Sequence, residues 1–332
     1  MTAAPDSTTV DFADVLAAQD RLAGVAVRTP LIENAELNRR AGGRVLLKAE
    51  NLQRTGSFKI RGAYNLMSQL TPEEAAAGVV AWSSGNHAQG VALAGKLLGV
   101  RNRIVMPADA PAAKRDATLH LGGEIVAYDR YAEDREAIAR KLAAESAAVI
   151  VPSYDHPAII AGQGTVGLEA AEQARELGVT LERALICCGG GGLTAGSALA
   201  LRNLFPGLRV HTVEPENYDD TARSLARGRR ERADLTQASI CDALLSPTPG
   251  ELTWPILVSE VDSGLVVSET AVRHAMRFAF RELKMVLEPG GAVALAAVLA
   301  GEVASAGGVT LAVLSGGNVD PALFAAVQAE PN

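Results

Sequence analysis

The chain has 332 residues, of which 48% are hydrophobic and 21% are charged, and its formal net charge is −7 at pH 7. A composition this rich in apolar residues supports one large globular domain or two, and the negative balance argues against a nucleic-acid or membrane surface. The first twelve residues, MTAAPDSTTVDF, have neither the basic start nor the apolar core of a secretory signal, and no apolar run reaches membrane-spanning length without charges or helix breakers.

The chain contains three cysteines, Cys187, Cys188 and Cys241, and their spacing matches neither a metal site nor a disulfide framework. We expect Cys187 and Cys188 to lie in the core, because the run around them is apolar. This cysteine usage is typical of a reduced, cytoplasmic protein.

Short runs rich in β-branched residues alternate with amphipathic runs along the whole chain. The predicted strands are Val45–Lys48, Val79–Trp82, Arg103–Met106, Glu124–Tyr128, Ala148–Val151, Ala184–Cys188, Val210–Val213, Gly264–Val267 and Thr310–Leu314. The predicted helices are Phe12–Ala23, Phe58–Leu70, His87–Leu98, Ala112–Leu121, Ala132–Ser146, Ala158–Leu177, Leu193–Phe205, Asp220–Arg227, Thr270–Lys284 and Ala292–Leu299. This alternation predicts a doubly wound, mostly parallel α/β architecture.

No repeat and no long linker divides the chain, so a second domain must be an excursion within the alternation. We predict a large discontinuous domain from residues 1–80 and 153–332, with a small α/β domain from residues 81–152 inserted into it. In such folds the loops at the carboxyl ends of the strands carry the chemistry.

The first unusual stretch is NLQRTGSFKIRGAY, residues 51–64, with Lys59 between Phe58 and Ile60. Ser57 precedes an amphipathic run, and we predict that it caps the helix amino terminus. Lys59 has two interpretations: an exposed lysine, which base rates of burial favour for this stretch alone, or a desolvated amine whose lowered pKa suits a Schiff base.

The second is the loop Ser83-Ser84-Gly85-Asn86-His87, which follows a predicted strand and opens a helix. Backbone N–H groups at such a turn can bind a carboxylate, and the Asn86 amide can bond a phenolic or carbonyl oxygen. The alternative is that Ser84 and Asn86 are ordinary turn and capping residues and that His87 is structural.

The third is Gly189-Gly190-Gly191-Gly192-Leu193, again between a strand and a helix. Consecutive glycines let the backbone wrap closely around a phosphate at a helix amino terminus. Gly190, Gly192 and Ala195 also satisfy a loose dinucleotide fingerprint, with Glu214 ending the next strand, so a nicotinamide enzyme is an alternative. A kinase-type P-loop is excluded because no Gly-Lys-Ser/Thr follows.

Two further loops complete the set. Residues 214–220, Glu-Pro-Glu-Asn-Tyr-Asp-Asp, concentrate hard oxygen ligands that suit Mg²⁺ or Ca²⁺, although a solvated acidic loop or a ribose-binding Glu214 are alternatives. Ser315-Gly-Gly-Asn318 follows an apolar strand, where a hydroxyl can bond a heteroaromatic nitrogen or simply form a turn.

Together, the segments TGSFKIRGAYN, SSGNHAQGVA, GGGGLTAG, VEPENYDD and SGGN resemble, in this order, the fold-type II pyridoxal-phosphate enzymes. The resemblance is to their serine/threonine dehydratase and serine racemase branch, and it runs from about Thr29 to Asp320. It implies a tryptophan synthase β-like fold with doubly wound, mostly parallel sheets in two domains. It also favours pyridoxal phosphate over a nicotinamide cofactor.

The resemblance implies a role for each motif. Lys59 would join the cofactor through a Schiff base, Phe58 would pack beside the ring, and Asn86 would bond the phenolic oxygen. The residues Gly189, Gly190, Gly191, Gly192 and Leu193 would bind the phosphate. Ser315 would meet the pyridine nitrogen, and the substrate carboxylate would lie on the loop of Ser83, Ser84, Asn86 and His87.

The implied reaction removes water and then ammonia from a β-hydroxy amino acid such as L-threonine or L-serine, giving a 2-oxo acid. Ser84 matches the second acid/base of racemases, so serine racemase is an alternative. Arg135 matches a racemase-branch arginine that reaches a distal carboxylate, so 3-hydroxyaspartate dehydratase is another, unless Arg135 is an inert surface residue. A catalytically silent ligand-binding relative is the alternative of a different class.

The resemblance also bears on the acidic loop and on assembly. It implies that Glu214, Asp220 and the carbonyl of Tyr218 hold a structural Mg²⁺ or Ca²⁺. It implies that the protein is a homodimer. It also implies that the protein binds a small amino-acid substrate and neither a nucleic acid nor a membrane.

Overall fold

The computed structural model of the chain describes residues 9–302 and 308–330. Residues 1–8 lie outside the described residues, and they make up most of the amino-terminal segment that lacks the pattern of a secretory signal. Within the described ranges, none of the helices combines the length and the apolar character that crossing a bilayer requires.

The larger sheet has six strands in the order β1-β2-β10-β7-β8-β9. Its strands are β1 Leu31–Glu33, β2 Val45–Ala49, β7 Leu181–Cys187, β8 Arg209–Pro215, β9 Ser263–Val267 and β10 Val309–Leu314. Only β1 runs antiparallel to its neighbour, with Leu31 opposite Lys48, and every other pairing in the sheet is parallel. The central strands are buried along most of their length, which explains their almost continuous apolar runs.

The smaller sheet has four parallel strands in the order β5-β4-β3-β6. Its strands are β3 Val79–Trp82, β4 Asn102–Pro107, β5 Glu124–Tyr128 and β6 Val149–Ile150. All nine predicted strands are therefore confirmed, and the three-residue edge strand β1 was not predicted. The expected boundary between residues 80 and 81 falls inside β3, and the division into two domains stays a prediction.

Helices occupy most of the connections between these strands. In the described ranges they are α1 Phe12–Leu22, α2 Ala35–Ala41, α3 Lys59–Met67, α4 Pro72–Ala77, α5 Asn86–Leu98, α6 Ala112–His120, α7 Arg135–Ser146, α8 Pro157–Glu176, α9 Gly192–Leu204, α10 Asp220–Arg227, α11 Thr253–Glu260, α12 Glu269–Phe278, α13 Pro289–Ala300 and α14 Pro321–Ala329. The ten predicted helices are all present, although the predicted helix 270–284 ends as a π-helical turn, Ala279–Leu283. Four short helices, α2, α4, α11 and α14, were not predicted.

Small residues let α3, α5 and α8 approach one another closely. A Cβ on Gly90 of α5 would lie 3.0 Å from the backbone carbon of Lys59, and a Cβ on Gly162 of α8 would lie 2.7 Å from the carbonyl oxygen of Arg61. A contact as short as the one at Gly162 is essentially never seen for a real Cβ, so that position requires glycine, and the contact at Gly90 is tight enough that a side chain there would push the backbone of α3 away. The amino-terminal turn of α3, which carries Lys59, is therefore held between two helices.

A buried ion network fixes α3 from its other side. The guanidinium of Arg61, which is fully buried, donates to Glu50 at 2.8 and 2.9 Å and to Glu169 at 2.8 Å through two nitrogens. Lys48 Nζ donates to the same Glu169 at 2.8 Å. Two cations thus balance two carboxylates, and the bidentate geometry defines the position of α3 two residues beyond Lys59.

Candidate active site

A cavity of about 460 Å³ opens where strands of both sheets reach their carboxyl ends. Its lining brings together residues from every predicted cofactor and substrate motif: Phe58, Lys59, Ser83, Ser84, Asn86, His87, Arg135, Gly189, Gly190, Gly191, Gly192, Leu193 and Ser315. The acidic loop is the one predicted group whose residues do not line the cavity. The convergence follows from topology, because the carboxyl ends of parallel strands meet at one edge of a sheet.

Lys59 is the first residue of α3 and is partly open to the cavity. Burial of its amine lowers the pKa to about 8, against the opposing effects of Cys187 and Glu288. Its Nζ donates to the carbonyl oxygen of Ser153 at 2.8 Å and lies 5.1 Å from the centroid of the Phe58 ring. Lys59 is thus the desolvated amine of the second interpretation.

The predicted capping role of Ser57 is wrong. The residue that precedes α3 is Phe58, in a helical conformation and without a side-chain cap. Ser57 is extended instead and forms a β-bridge with Gly316, and its buried hydroxyl has no partner among the described residues. The bridge joins the start of α3 to the loop after β10, and this long-range pairing overrides the local capping preference.

Asn86 opens α5, and its amide is bonded on both sides. Its Nδ2 donates to Glu288 Oε1 at 2.5 Å, and its Oδ1 accepts from Asn318 Nδ2 at 2.7 Å. Asn318 also donates to the carbonyl oxygen of Thr55 at 2.7 Å. These bonds define the positions of the amide nitrogen and the amide oxygen of Asn86. The second N–H of Nδ2 remains for a ligand.

Glu288 is a buried carboxyl in the cavity wall. Burial and the charge of Asp242 raise the pKa of Glu288, the bond from Asn86 and the charges of Lys114 and Lys59 lower it, and the net result is a pKa of about 7. The motifs did not point to Glu288. Its sequence context, Glu-Pro-Gly-Gly before an apolar helix, indicates only a helix start.

His87 is buried behind the same loop. Its Nε2 lies 2.9 Å from the carbonyl oxygen of Val151, and Nδ1 has no partner among the described residues. Burial and the nearby Lys59 lower the pKa of His87 to about 3. His87 is therefore neutral, with Nε2 donating to Val151, and we assign it no proton transfer.

The glycine loop is shaped so that only glycine fits. Gly191 has φ of 96°, in the left-handed region that favours glycine, and a Cβ on Gly190 would overlap the ring of Tyr154. α9 begins at Gly192, and its first N–H groups are left free for an anion. The loop is held from behind by Thr253, whose Oγ1 donates to the carbonyl oxygen of Gly190 at 2.7 Å.

Ser315 and Cys187 end the neighbouring strands β10 and β7 and lie side by side in the cavity. Burial raises the pKa of the Cys187 thiol to about 11, and the neighbouring Ser315 side chain opposes that rise. The three cysteines are buried and free, which confirms the expected core position of Cys187 and Cys188.

The acidic loop lies behind the glycine loop. Both oxygens of the buried Glu214 accept backbone N–H bonds, from Thr221 at 2.9 Å and Ala222 at 2.7 Å. Burial and the charge of Asp220 raise the pKa of Glu214 well above its ordinary value, and burial raises that of Asp220 to about 7. The described residues contain no group of three or more His, Cys, Asp and Glu side chains arranged for a metal.

Charged side chains of the smaller sheet's helices reach the cavity mouth. Lys114 of α6 is paired with Asp242, and Arg140 of α7 donates to Glu136 at 3.0 Å. Arg135, at the start of α7, is exposed and forms no ion pair with any described residue. Lys114 and Asp242 carry no recognisable motif, so the sequence did not indicate that they meet.

The chain was compared with families and proteins of known activity. A family model described as pyridoxal-phosphate dependent enzyme matches residues 22–316. The L-threo-3-hydroxyaspartate ammonia-lyase of a Pseudomonas species is 44% identical over 95% of this chain and 98% of its own length. The maize serine racemase structure has a TM-score of 0.90 at 36% identity, covering 96% of each chain, and the T.th. threonine deaminase structure has 0.88 at 44%, covering 93% of this chain and 99% of its own.

Proposed function

The chain belongs to the pyridoxal-phosphate-dependent enzymes, and from that membership we propose that it is an ammonia-lyase whose preferred substrate is 3-hydroxyaspartate. The expected family, fold-type II architecture and lyase class are confirmed. The nicotinamide alternative is wrong, since the matching family uses pyridoxal phosphate. The relatives above act on three different amino acids, so similarity alone does not select the substrate.

One observation carries the choice of substrate. Arg135 lines the cavity, and no described carboxylate neutralises it, whereas the other two basic residues at the mouth, Lys114 and Arg140, are both paired. A guanidinium binds a carboxylate through two parallel hydrogen bonds. Serine and threonine have no second carboxylate to offer it. A β-hydroxy amino acid with a distal carboxylate can pair that carboxylate with the guanidinium of Arg135.

The cavity fits the cofactor on its own geometry. The glycine loop packs so tightly on Tyr154, Thr253 and Leu257 that its backbone forms the cavity wall, and α9 begins there without a side-chain cap, so its first N–H groups would suit a phosphate. Phe58, Asn86 and Ser315 line the same cavity at positions suited to an aromatic ring with polar edges. When bound, pyridoxal phosphate supplies an aldehyde that joins amines and a ring that accepts electrons released at the substrate α-carbon.

The residues of the chain supply the proton chemistry. With a pKa of about 8, Lys59 Nζ is neutral in about a tenth of molecules at pH 7 and in about half at pH 8, and the neutral amine can take the α-proton. The backbone N–H groups at the start of α5 bind the α-carboxylate. The β-hydroxyl then leaves with a proton as water, and hydrolysis of the released unsaturated amino acid consumes one water and gives ammonia and a four-carbon 2-oxo dicarboxylic acid.

The test measures 2-oxo acid and ammonia release from the cofactor-loaded enzyme with L-serine, L-threonine and both diastereomers of 3-hydroxyaspartate. We expect the highest kcat/KM with 3-hydroxyaspartate. Arg135→Gln should lower that value about 10- to 100-fold, the worth of a charge-assisted contact, and change the value for L-serine less than about threefold. Lys141→Met is the control, because Lys141 lies on the same helix outside the cavity lining. A wild type that prefers serine or threonine, with an unchanged ratio in Arg135→Gln, would refute the dicarboxylate.

Racemisation is a second candidate activity, because Ser84 lines the cavity together with Lys59. Racemisation needs acid/base groups on opposite faces of the substrate. If Ser84 is the second group, D-serine should accumulate from L-serine, and Ser84→Ala should abolish that product while elimination continues. Elimination with no D-isomer in the wild type would exclude this activity.

We further propose that the acidic loop binds Mg²⁺ or Ca²⁺ through Glu214, Asp220 and the carbonyl oxygen of Tyr218. The support is that burial raises the pKa of both carboxyls, that the charge of Asp220 raises the pKa of Glu214 further, and that the buried Asp220 Oδ2 has no partner among the described residues. A divalent cation would satisfy both. Titration with Ca²⁺ should raise the melting temperature of the wild type and leave that of Asp220→Asn unchanged; an equal response in both would refute the site.

We also propose a cytoplasmic homodimer. Leu52 is 51% exposed and Val286 is 42% exposed. They are neighbours, because Asn51 Nδ2 donates to the carbonyl oxygen of Val286 at 3.3 Å. An apolar surface of this kind suits burial against a second copy. Light scattering should give twice the chain mass, and Leu52→Asp should shift it towards the monomer, whereas a monomeric wild type would refute the dimer.

A further inference from the structure

We propose that Lys114 is a specificity-determining residue, which neutralises Asp242 at the cavity mouth and so admits a substrate with a second carboxylate. Lys114 lies on α6, in the connection between β4 and β5 of the smaller sheet. Asp242 begins a 3₁₀ turn, Asp242–Leu244, in the connection between β8 and β9 of the larger sheet. The ion pair therefore spans the cavity between the two sheets, and both residues line it. The inference rests on the proposed function, since it concerns the substrate of the same site.

The cavity wall contains as many acidic as basic side chains, so an anionic substrate enters a site with no excess of positive charge. Its basic residues are Lys59, Lys114, Arg135 and Arg140, and its acidic residues are Glu136, Asp155, Asp242 and Glu288. The acids other than Asp242 are satisfied independently of Lys114. Glu136 is paired with Arg140, Asp155 accepts the backbone N–H groups of residues 251–253, and Glu288 accepts from Asn86.

Asp242 differs from these acids, since Lys114 is the sole partner of its carboxylate among the described residues. The Lys114 side chain is only 14% exposed, whereas that of Asp242 is 51% exposed. A cation buried this deeply loses hydration, and the attraction of a carboxylate partner offsets the free-energy cost of that loss. Removing the lysine would leave Asp242 as an unbalanced negative charge facing the substrate.

The field of the pair reaches the interior of the cavity. Asp242 raises the pKa of Glu288, and Lys114 lowers it, so both charges act on a carboxyl that touches Asn86. The effect of Asp242 on Glu288 is the larger of the two, so Lys114 offsets part of the field that Asp242 projects into the cavity. Without Lys114, the remaining anion would act against any second carboxylate that approaches Arg135.

L-aspartate and L-asparagine isolate this effect, because they have nearly the same shape and differ by one negative charge. Neither carries the β-hydroxyl that leaves in the proposed reaction. Their dissociation constants can be measured on the cofactor-loaded enzyme by the change in cofactor absorbance on binding. The ratio of the two constants then reports the charge discrimination of the cavity and does not depend on turnover.

We expect Lys114→Met to weaken the binding of L-aspartate relative to that of L-asparagine by about 10- to 30-fold. One charge about 8 Å away has an effect of this size at an effective dielectric constant of about 20. Asp242→Asn should shift the ratio the other way, because the lysine is then an extra cation for the substrate. The double variant Lys114→Met/Asp242→Asn should return the ratio to within about threefold of wild type, since the cavity is again balanced. Lys141→Met, which removes an equal but exposed charge outside the cavity, is the control.

A merely structural contact between the two sheets predicts a different pattern. Either single variant would then break the contact and change the dissociation constants of both ligands in the same direction. The double variant would not restore the wild-type dissociation constants. That result, or a ratio that stays within about threefold of wild type in Lys114→Met, would overturn the inference. The proposed function fails separately, if the wild type releases no 2-oxo acid from 3-hydroxyaspartate while the binding ratios still follow the predicted order.

Discussion

The buried carboxyl of Glu288 should make the stability of the protein depend on pH in a way that one substitution removes. Burial raises the pKa of this group to about 7, from an ordinary 4.5. Glu288→Gln keeps the shape and the bond from Asn86 but cannot bind a proton. The difference in unfolding free energy between the two proteins therefore isolates the titration of one group.

The folded state of the wild type binds the Glu288 proton more tightly than the unfolded state does. The stability that this proton contributes is fully present below pH 4.5 and is lost as the pH rises through 7. The difference between the two pKa values corresponds to about 3 kcal/mol, at 1.36 kcal/mol per pH unit. Relative to Glu288→Gln, the wild type should thus lose about 3 kcal/mol between pH 4.5 and pH 8.

The assay is urea unfolding of the cofactor-free protein at pH 5, 6, 7 and 8, for the wild type and Glu288→Gln. Asp220 also has a raised pKa, near 7, but it titrates in both proteins and cancels in the difference. The exposed Glu282, exchanged for glutamine, is the control. A difference between wild type and Glu288→Gln that stays constant across this range would refute the argument that burial dominates at Glu288.

Three further predictions concern the frame of the site. Lys59→Ala should abolish the visible absorbance of covalently held cofactor and lower turnover at least about 10³-fold, and a yellow, active variant would contradict its role. Arg61→Leu should lower the free energy of unfolding by about 3–5 kcal/mol in urea, because two carboxylates lose their buried partner, and a loss under about 1 kcal/mol would show that the network relaxes. Gly190→Ala should weaken cofactor binding measured by equilibrium dialysis, because its Cβ would overlap Tyr154, whereas Gly207→Ala, whose Cβ meets nothing within 4 Å, should not.

The central strands of the larger sheet were predictable because they are buried apolar runs bounded by loop residues, as in β10 with Val309–Leu314. The missed elements are short, and their stabilisation comes largely from neighbours. α4 spans six residues and is defined by a capping box between Thr71 and Glu74, which was readable but too short to stand out by periodicity. The wrong prediction for Ser57 has the same origin, since its backbone pairs with Gly316, which is distant in sequence.

The candidate site divides in the same way. Its loops were predictable because each motif concentrates a chemistry, as glycine does at Gly191, where φ is positive. Glu288 and the pair of Lys114 and Asp242 were not predictable, because no motif surrounds them in the sequence. Their proposed roles depend on the residues that the tertiary fold brings next to them. Proximity across the two sheets is a property of the tertiary fold, and no spacing in the chain encodes it.

This division bears on how substrate preference is set in such a fold. The glycine loop and Ser315 follow strands of the larger sheet, and Lys59 lies on α3 between the two sheets, whereas Lys114 and Arg135 lie on α6 and α7 of the smaller sheet. A change of charge at α6 or α7 can therefore alter which amino acid is accepted without moving the amine that takes the α-proton. The L-threo-3-hydroxyaspartate ammonia-lyase and the threonine deaminase named above are both 44% identical to this chain, so the percentage of identical residues does not choose between their substrates. We therefore expect substitutions at Lys114 and Arg135 to change substrate preference more than equally conservative substitutions elsewhere on the same two helices.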